Sequence, residues 1–332
     1  MFTKIIVLPI GRPCLPLVRW ATVSLRVRPV VPSRMTPGGH NSSRTPRSVL
    51  GGYVALMKLR VVELLLITTV PTMVLAEGGW PRFSLILITL LGGTLAAGGA
   101  NAINMYIDRD IDGLMERTKN RPLVTGLIAP RDALVFAIAL EIVAFGVLWA
   151  GANLLAAALC MSATLFYVFV YSLWLKRTSK QNIVIGGAAG AVPVLVGWAA
   201  VTNSLAWEPW ILFLIIFLWT PPHFWALAIR HSDDYKAAGV PMLPAVESEK
   251  KVIAAMIQYC AATVAASVAL IPVAGLGWVY GVTTVALGAV FLAGTIALGR
   301  KPTPGGSMKL FSFSISYLSL VFVALTVDVL VR

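Results

Sequence analysis

Charged residues are scarce in this chain of 332 amino acids. They make up 12% of the sequence, and only 14 residues are Asp or Glu, whereas 58% of the residues are apolar. The average soluble domain carries roughly twice that charged fraction. The composition therefore excludes an ordinary soluble domain and indicates an integral membrane protein.

Cysteine is equally rare. Cys14 lies near the start of the chain, whereas Cys160 and Cys260 lie inside long apolar runs. Cysteines at these positions provide neither the spacing of a metal site nor a framework of disulfide bonds. Neither kind of stabilisation is expected.

Long apolar runs, by contrast, recur through the whole chain from Val61 onward. A membrane-spanning helix needs about 20 apolar residues. The runs are too long and too continuously apolar to be strands of a membrane barrel. We therefore predict an all-α membrane protein, with a bundle of nine helices in residues 51–332. The nine predicted spans cover residues 57–76, 84–106, 133–150, 153–174, 182–202, 208–229, 252–273, 276–299 and 309–331.

The distribution of lysine and arginine predicts the orientation of this bundle. Fifteen of them follow the second, fourth, sixth and eighth spans, whereas only Arg82 and Arg332 lie in the other loops or at the C-terminus. Basic loops stay on the cytoplasmic side, so the N-terminus is predicted to be cytoplasmic. The net charge of +13 thus reflects topology and contact with anionic lipid, and no nucleic-acid partner is expected.

Residues 1–50 differ in kind from the rest of the chain. They carry Lys4 and seven arginines but no acidic residue, a composition that predicts a disordered tail. We favour a basic cytoplasmic tail, with Met35 as a candidate for the true start. An Arg-rich segment without acids also resembles a mitochondrial transit peptide, which is the alternative interpretation.

One group of charges interrupts the apolar pattern, in the stretch "NAINMYIDRDIDGLMERTKNRPL" from Asn101 to Leu123. Asn104, Asp108 and Asp112 are spaced i, i+4, i+8, which predicts one face of an α-helix. Carboxylates at this spacing repel each other unless a cation lies between them. Oxygen ligands favour Mg²⁺ or Ca²⁺, so the spacing predicts a divalent metal site.

Three basic residues follow directly in the same stretch. Arg117, Lys119 and Arg121 are suited to a phosphate group that bridges to such a metal. The alternative is that all of these are ordinary loop charges that form structural ion pairs.

A second polar loop, "PPHFWALAIRHSDDYKAAGVPMLP" from Pro221 to Pro244, ends the sixth span on the same side. Helical spacing predicts one shared face for His223, Leu227, Arg230 or His231, and Asp234. A histidine, a base and a carboxylate could then point into one cavity. The two loops are four spans apart, which suggests two similar four-helix units around a common cavity.

These two stretches, together with "YSLWLKRTSKQNIVIGGAAGAVPVLVGWAA", closely resemble the haem O synthase group of the UbiA-type intramembrane prenyltransferases. The resemblance covers about Val54 to Arg332 and is greatest to the actinobacterial members. Leu59 stands where that group is expected to have a proline. The resemblance implies a cell-membrane enzyme, bacterial or, alternatively, of the mitochondrial inner membrane.

The implied reaction transfers farnesyl from farnesyl diphosphate to a vinyl group of haem b, adds water and gives haem O and diphosphate. The resemblance also implies Mg²⁺ as cofactor and a haem A synthase as a possible partner. It implies the following roles: Asn104, Asp108 and Asp112 as the first magnesium–diphosphate motif; Asp234, with Asp233, in the second; and Arg117, Lys119, Arg121, Lys176 and Arg177 as candidates for the diphosphate. Outside the tail the sequence has two histidines, His223 and His231, so a histidine ligand of the haem iron would be one of them, and we favour His223.

Three other functions remain open at this stage. A UbiA-type enzyme acting on an aromatic or quinone precursor would share the aspartates but not "PPHFWALAI" beside the second motif. A transporter would need inverted repeats and polar sites at the middle of the membrane, whereas these polar clusters lie at one face. A structural assembly factor would need no metal motif.

Overall fold

A computed structural model describes residues 46–332, although the side chains of residues 46, 47 and 60–66 are not part of the description. The candidate start at Met35 and most of the predicted tail lie outside the described residues. The first helix begins at Pro46, inside the segment 1–50 that we predicted to be a tail.

All regular secondary structure in the described residues is helical, and no strand occurs among them. Two short helices, Ser232–Ala237 and Leu243–Val246, and a 3₁₀ turn, Asp112–Leu114, lie between the long ones. The long helices are α1 (Pro46–Met57), α2 (Leu59–Glu77), α3 (Phe83–Asp108), α4 (Pro130–Gly151), α5 (Leu154–Thr178), α6 (Asn182–Thr202), α7 (Trp207–Arg230), α8 (Glu249–Val273), α9 (Trp278–Arg300) and α10 (Pro304–Val331).

Eight helices in the described part of the chain, α3 to α10, are long and apolar enough to cross a membrane. Each coincides with a predicted span, which confirms an all-α membrane protein. The first predicted span, 57–76, corresponds to α2, of which only Ile67–Glu77 is described as an apolar helix. The total of nine spans and the cytoplasmic N-terminus therefore stay predictions.

Consecutive long helices pack against each other from α3 to α10, although the connections from α3 to α4 and from α7 to α8 are long. Helix α2 closes the bundle by packing on α3, α6 and α10, and α7 packs on α6, α8 and α10. The bundle therefore has one end that carries the basic loops and one end that carries the other connections.

Four exposed tryptophans mark the end opposite the basic loops, and another exposed one, Trp174, lies near the basic end. Trp80, Trp149, Trp207 and Trp278 all lie in or beside connections at that end, with between 59% and 78% of each residue exposed. Tryptophan is enriched at the interface between membrane and water, where its ring is partly apolar and its N–H is polar. The tryptophans and the basic loops thus delimit the membrane zone from both sides.

A carboxylate from α10 caps the start of α9 at the tryptophan end. Asp328 is buried and accepts hydrogen bonds from the backbone N–H groups of Gly277 (2.7 Å) and Tyr280 (3.1 Å). The first N–H groups of a helix lack partners within it and attract negative charge. Arg332 pairs with the same carboxylate at 3.0 Å, so the end of α10 fixes the start of α9.

We predict that Asp328→Ala lowers the free energy of unfolding in detergent by about 1–2 kcal/mol, the usual cost of a lost cap. Asp328→Asn keeps one acceptor oxygen and should cost less. Thermal unfolding in detergent measures both changes. Equal stability of the Ala variant and the unmodified chain would show that the cap contributes nothing.

Candidate active site

The first charged stretch lies at the basic end of α3. Asn104 and Asp108 are on the last turn and a half of this helix, and both are buried. The helix ends at Asp108, and Asp112 begins the 3₁₀ turn. The prediction of one continuous helical face was therefore wrong for Asp112, although its carboxylate is buried at the same end of the bundle.

Asn104 links three parts of this site through its carboxamide. Its Nδ2 donates to Asp108 Oδ2 (2.8 Å) and to Ser172 Oγ on α5 (3.1 Å). Its Oδ1 accepts a hydrogen bond from Lys58 Nζ at 3.1 Å. The carboxamide thus holds the α1–α2 junction, α3 and α5 together around Asp108.

Two of the predicted diphosphate-binding cations neutralise the buried carboxylates. Lys176 at the end of α5 forms a short ion pair with Asp108, and Arg121 pairs with Asp112 at 2.6 Å. The repulsion expected between the two carboxylates is therefore offset by the positive charges of one lysine and one arginine.

Arg177 is also at the site but faces a different carboxylate. It donates two hydrogen bonds of 2.7 Å to Asp110, and its guanidinium lies 3.9 Å from Asp108 Oδ1. These hydrogen bonds hold the pKa of Asp110 at about 2. The side chain of Asp110 is 59% exposed, so it faces away from the two buried carboxylates.

The other two predicted cations are not brought to the carboxylates. Lys119 pairs with Glu116 on the exposed side of the loop. Arg117 is exposed and takes part in none of the ion pairs found within residues 46–332. Their predicted role in binding diphosphate stays a prediction.

Two buried oxygens at the site have no hydrogen-bond partner among the described residues, namely Oδ1 of Asp108 and Oδ1 of Asp112. No cluster of three or more Asp, Glu, His or Cys side chains in the described chain could enclose a metal by itself. Mg²⁺ is commonly held by one or two carboxylates together with substrate phosphates and water. The free oxygens of Asp108 and Asp112 fit that kind of site.

Lys58 is the main site residue that the sequence did not reveal. It joins α1 to α2 in the left-handed conformation (φ 50°, ψ 52°), which is uncommon for a residue other than glycine. Asn101 supports this junction, because its Nδ2 donates to Met57 O at 3.1 Å.

The part of α5 that faces the site is a π-helix, from Phe166 to Leu175. π-Helical turns are rare and are frequently found at functional sites. Tyr167 and Tyr171 stack on this segment with ring centroids 5.3 Å apart. Gly186 of α6 lies so close to the Tyr171 ring that a Cβ atom there would overlap it. The missing side chain therefore allows α6 to pack on the tyrosine.

The second predicted motif is on the short helix Ser232–Ala237. α7 ends at Arg230, so the predicted helical face shared by His223 and Asp234 was wrong. Asp234 lies 3.7 Å from His231, and Asp233 is almost fully exposed and lies 3.6 Å from Lys236. Neither carboxylate is joined to Asp108 or Asp112 by an ion pair found in the described chain, so both remain predicted ligands.

Apolar contacts nevertheless bring the second motif close to the first. Ile111, which precedes Asp112, belongs to one buried cluster with Ile183, Ala228, Val240 and Met242. Tyr171 and Tyr235 pack against this cluster. Gly239 ends the short helix with a positive φ of 65°, which turns the chain back toward these residues.

His223 lies deeper in the bundle, on α7 facing α10. Its Nδ1 is 2.7 Å from Ser314 Oγ, and its ring stacks between Trp219 and Phe311. Ser314 Oγ donates its only proton to Phe311 O at 2.6 Å. His223 Nδ1 must then be the donor to Ser314, which assigns the lone pair to Nε2.

Sequence comparison relates most of the chain to one family. The profile of the UbiA prenyltransferase family matches residues 65–321. A protoheme IX farnesyltransferase of Pseudarthrobacter chlorophenolicus is 52% identical over 313 residues, which covers 93% of this chain and 96% of the relative. The protein of the same name from Frankia casuarinae is 56% identical over 286 residues, which covers 84% of this chain and 98% of the relative.

Solved structures share the fold at lower identity. A digeranylgeranylglyceryl phosphate synthase superposes with a TM-score of 0.72 at 19% identity and covers 86% of this chain and 100% of that chain. A UbiA homologue from Archaeoglobus fulgidus, bound to DMAPP and Mg²⁺, gives a TM-score of 0.59 at 19% identity over 84% of this chain and 99% of that chain.

We predict that Gly186→Ala displaces the Tyr171 ring and lowers stability by about 1–3 kcal/mol, the usual cost of overpacking a core. Gly190→Ala, one turn further along α6, is the matched control, because no atom lies within 4 Å of its new Cβ. Thermal unfolding in detergent would compare the two variants. Equal effects at both glycines would contradict a tight contact at Tyr171.

Proposed function

Since the chain belongs to the UbiA prenyltransferase family, we propose that it transfers farnesyl from farnesyl diphosphate to a vinyl group of haem b, with addition of water. The products are haem O and diphosphate. The names of relatives more than 50% identical over most of the chain support this acceptor and donor. The protein is a multi-pass enzyme of the cell membrane, and a haem A synthase is the proposed recipient of haem O.

The observation that carries the proposal is the pairing of two buried carboxylates with Lys176 and Arg121. Both cations are mostly buried beside an apolar bundle, where an unpaired charge is costly. A diphosphate that arrives with its metal offers new anionic partners to these cations and a new cationic partner to the carboxylates. The site can therefore exchange internal ion pairs for substrate contacts without leaving a buried charge alone.

The proposed chemistry begins with departure of diphosphate from the allylic carbon. Negative charge grows on the leaving oxygen, and preorganised cations stabilise it best where water is excluded. Lys176, Arg121 and Lys58 are the cations that lie around the buried carboxylates. Asp108 and Asp112 would hold Mg²⁺, which would supply further positive charge to the diphosphate oxygens.

The farnesyl chain needs an apolar surface beside this polar end. Tyr167 and Tyr171 offer stacked aromatic rings on the same helix as Lys176. The electron-rich face of an aromatic ring attracts a cation. These tyrosines are therefore the proposed neighbours of the developing allylic cation.

His223 is the proposed haem ligand. With Nδ1 engaged by Ser314, Nε2 keeps the lone pair that an iron ligand requires. The hydrogen bond at Nδ1 would also fix the orientation of the ring, as such partners do at metal sites. Trp219 and Phe311, stacked on the two faces of the imidazole, hold the plane of the ring in place.

The experiment that tests the proposed function incubates the purified full chain with farnesyl diphosphate, Mg²⁺ and haem b and measures product mass. We expect the mass of haem b plus one farnesyl group and one hydroxyl group, because the added water gives up a proton to the diphosphate. Asp108→Asn and Asp112→Asn should each lower the rate by roughly 100-fold or more, and the residual rate should need more Mg²⁺. Prenylation of an aromatic acid or quinone precursor in place of haem would contradict the proposal.

Asp110→Asn is the matched control, since Asp110 is exposed and contacts Arg177 only at the edge of the site. The transfer rate of Asp110→Asn should fall much less than the rates of Asp108→Asn and Asp112→Asn. The carboxylate variants also leave Lys176 or Arg121 without its partner, so stability is expected to fall, and rates must be referred to folded protein. Equal losses at all three aspartates would favour ordinary loop charges.

We predict that His223→Phe, which keeps a ring between Trp219 and Phe311, changes the absorption spectrum of bound haem and weakens haem binding. Affinity for farnesyl diphosphate should be unchanged, because His223 contacts none of the cations at the first motif. Titrations with each substrate separate the two effects. An unaltered haem spectrum would end the ligand hypothesis and leave His223 a packing residue.

A further inference from the structure

The side chain of Asn182 is completely buried, yet its polar atoms form no hydrogen bond with the described residues. Neither Nδ2 nor Oδ1 has a hydrogen-bond partner within the described chain. A carboxamide can donate two hydrogen bonds and accept two. Leaving such groups unmet in a protein interior costs about 1–3 kcal/mol each. A buried amide without hydrogen-bond partners in the protein is expected to bind a polar group of a ligand or of water.

Asn182 lies next to the proposed reaction site. It is the first residue of α6, only a few residues after Lys176, which pairs with Asp108. The following residue, Ile183, belongs to the buried cluster that contains Ile111, between the carboxylates Asp110 and Asp112. One turn along α6 from Asn182, Gly186 packs on the Tyr171 ring. The amide is therefore on the α6 face that borders the first motif and the stacked tyrosines.

The surroundings of this amide exclude bulk water. The next residue, Ile183, belongs to a buried cluster whose other members are Ile111, Ala228, Val240 and Met242, all apolar. A buried water molecule needs polar partners to remain in such a place. Asn182 supplies both a donor and an acceptor, the two kinds of group that hydrogen-bond a water molecule.

The proposed reaction consumes one water at a defined step. The first carbon of farnesyl forms a bond to the terminal carbon of the vinyl group as its bond to the diphosphate oxygen breaks. The inner vinyl carbon is left as a cation. The oxygen of water then bonds to that carbon, and the water loses a proton to the released diphosphate. Without water the same cation loses a proton from carbon and becomes an alkene.

We propose, on the premise of that function, that Asn182 is the positioning residue for this water. Its Oδ1 accepts a hydrogen bond from the water and directs the oxygen lone pair at the cation. The amide does not take the proton, because it is a very weak base. Nδ2 remains available to donate to a second polar group that enters with the substrates. Asn182 thus selects between the hydrated product and the alkene.

The test is the product ratio of Asn182→Leu in the full chain, assayed with farnesyl diphosphate, Mg²⁺ and haem b. Leucine has a similar branched shape but cannot hold water. We expect farnesyl transfer to continue and the ratio of alkene to hydrated product to rise about tenfold, the factor expected from one hydrogen bond in the transition state. Stability should stay level or rise, since an unmet buried amide is removed. Asn182→Ser, which restores a hydroxyl, should recover part of the hydration.

Asn153→Leu is the matched control. The carboxamide of Asn153 is satisfied, because it donates to Ala199 O at 2.6 Å and accepts from Ala156 N at 2.9 Å at the other end of the bundle. Its loss should lower stability and leave the product ratio unchanged. An unchanged ratio in Asn182→Leu would overturn the inference and, with lowered stability, would assign the amide a structural role. Absence of any prenylated haem from the unmodified chain would instead refute the proposed function.

Discussion

The structure depends on the requirement that a charge buried beside the membrane must have a partner. Asp108 and Asp112 are buried at the end of an apolar bundle, and Lys176 and Arg121 neutralise them. Removing either member of such a pair would leave an uncompensated charge. The same requirement places the α5 terminus and the loop after α3 around α3 itself. Local folding at the basic end is therefore a result of charge pairing as much as of apolar packing.

Charge pairing also explains why the site can bind a substrate that carries several charges. The cations are held in position by carboxylates before any ligand arrives, so little conformational entropy remains to be lost on binding. Asn104 adds fixed contacts to Asp108, Ser172 and Lys58. The carboxamide has no net charge, so it links these groups without altering the balance between acids and bases.

Much of this organisation could be predicted from the sequence, because its physical causes are local. Long apolar runs gave the spans α3 to α10, and acids at an apolar boundary identified Asp108, Asp112 and their basic partners. The left-handed Lys58 and the π-helix of α5 could not be predicted, because each depends on contacts with distant residues, such as Asn104 for Lys58 and Gly186 for Tyr171. The end of α3 at Asp108 was missed because the i, i+4, i+8 spacing continues past the last helical turn.

The junction at Lys58 has a thermodynamic consequence for the first helix. Lys58 reaches the site through its bond to Asn104, while Asn101 holds the preceding carbonyl of Met57 at the end of α1. The docking of α1 on the bundle and the binding of charged ligands at the site are therefore energetically coupled through Lys58. Linkage requires reciprocity between such coupled equilibria. An anion that binds Lys58 therefore changes the free energy with which α1 docks on the bundle, and docking of α1 changes the affinity for that anion by the same coupling free energy.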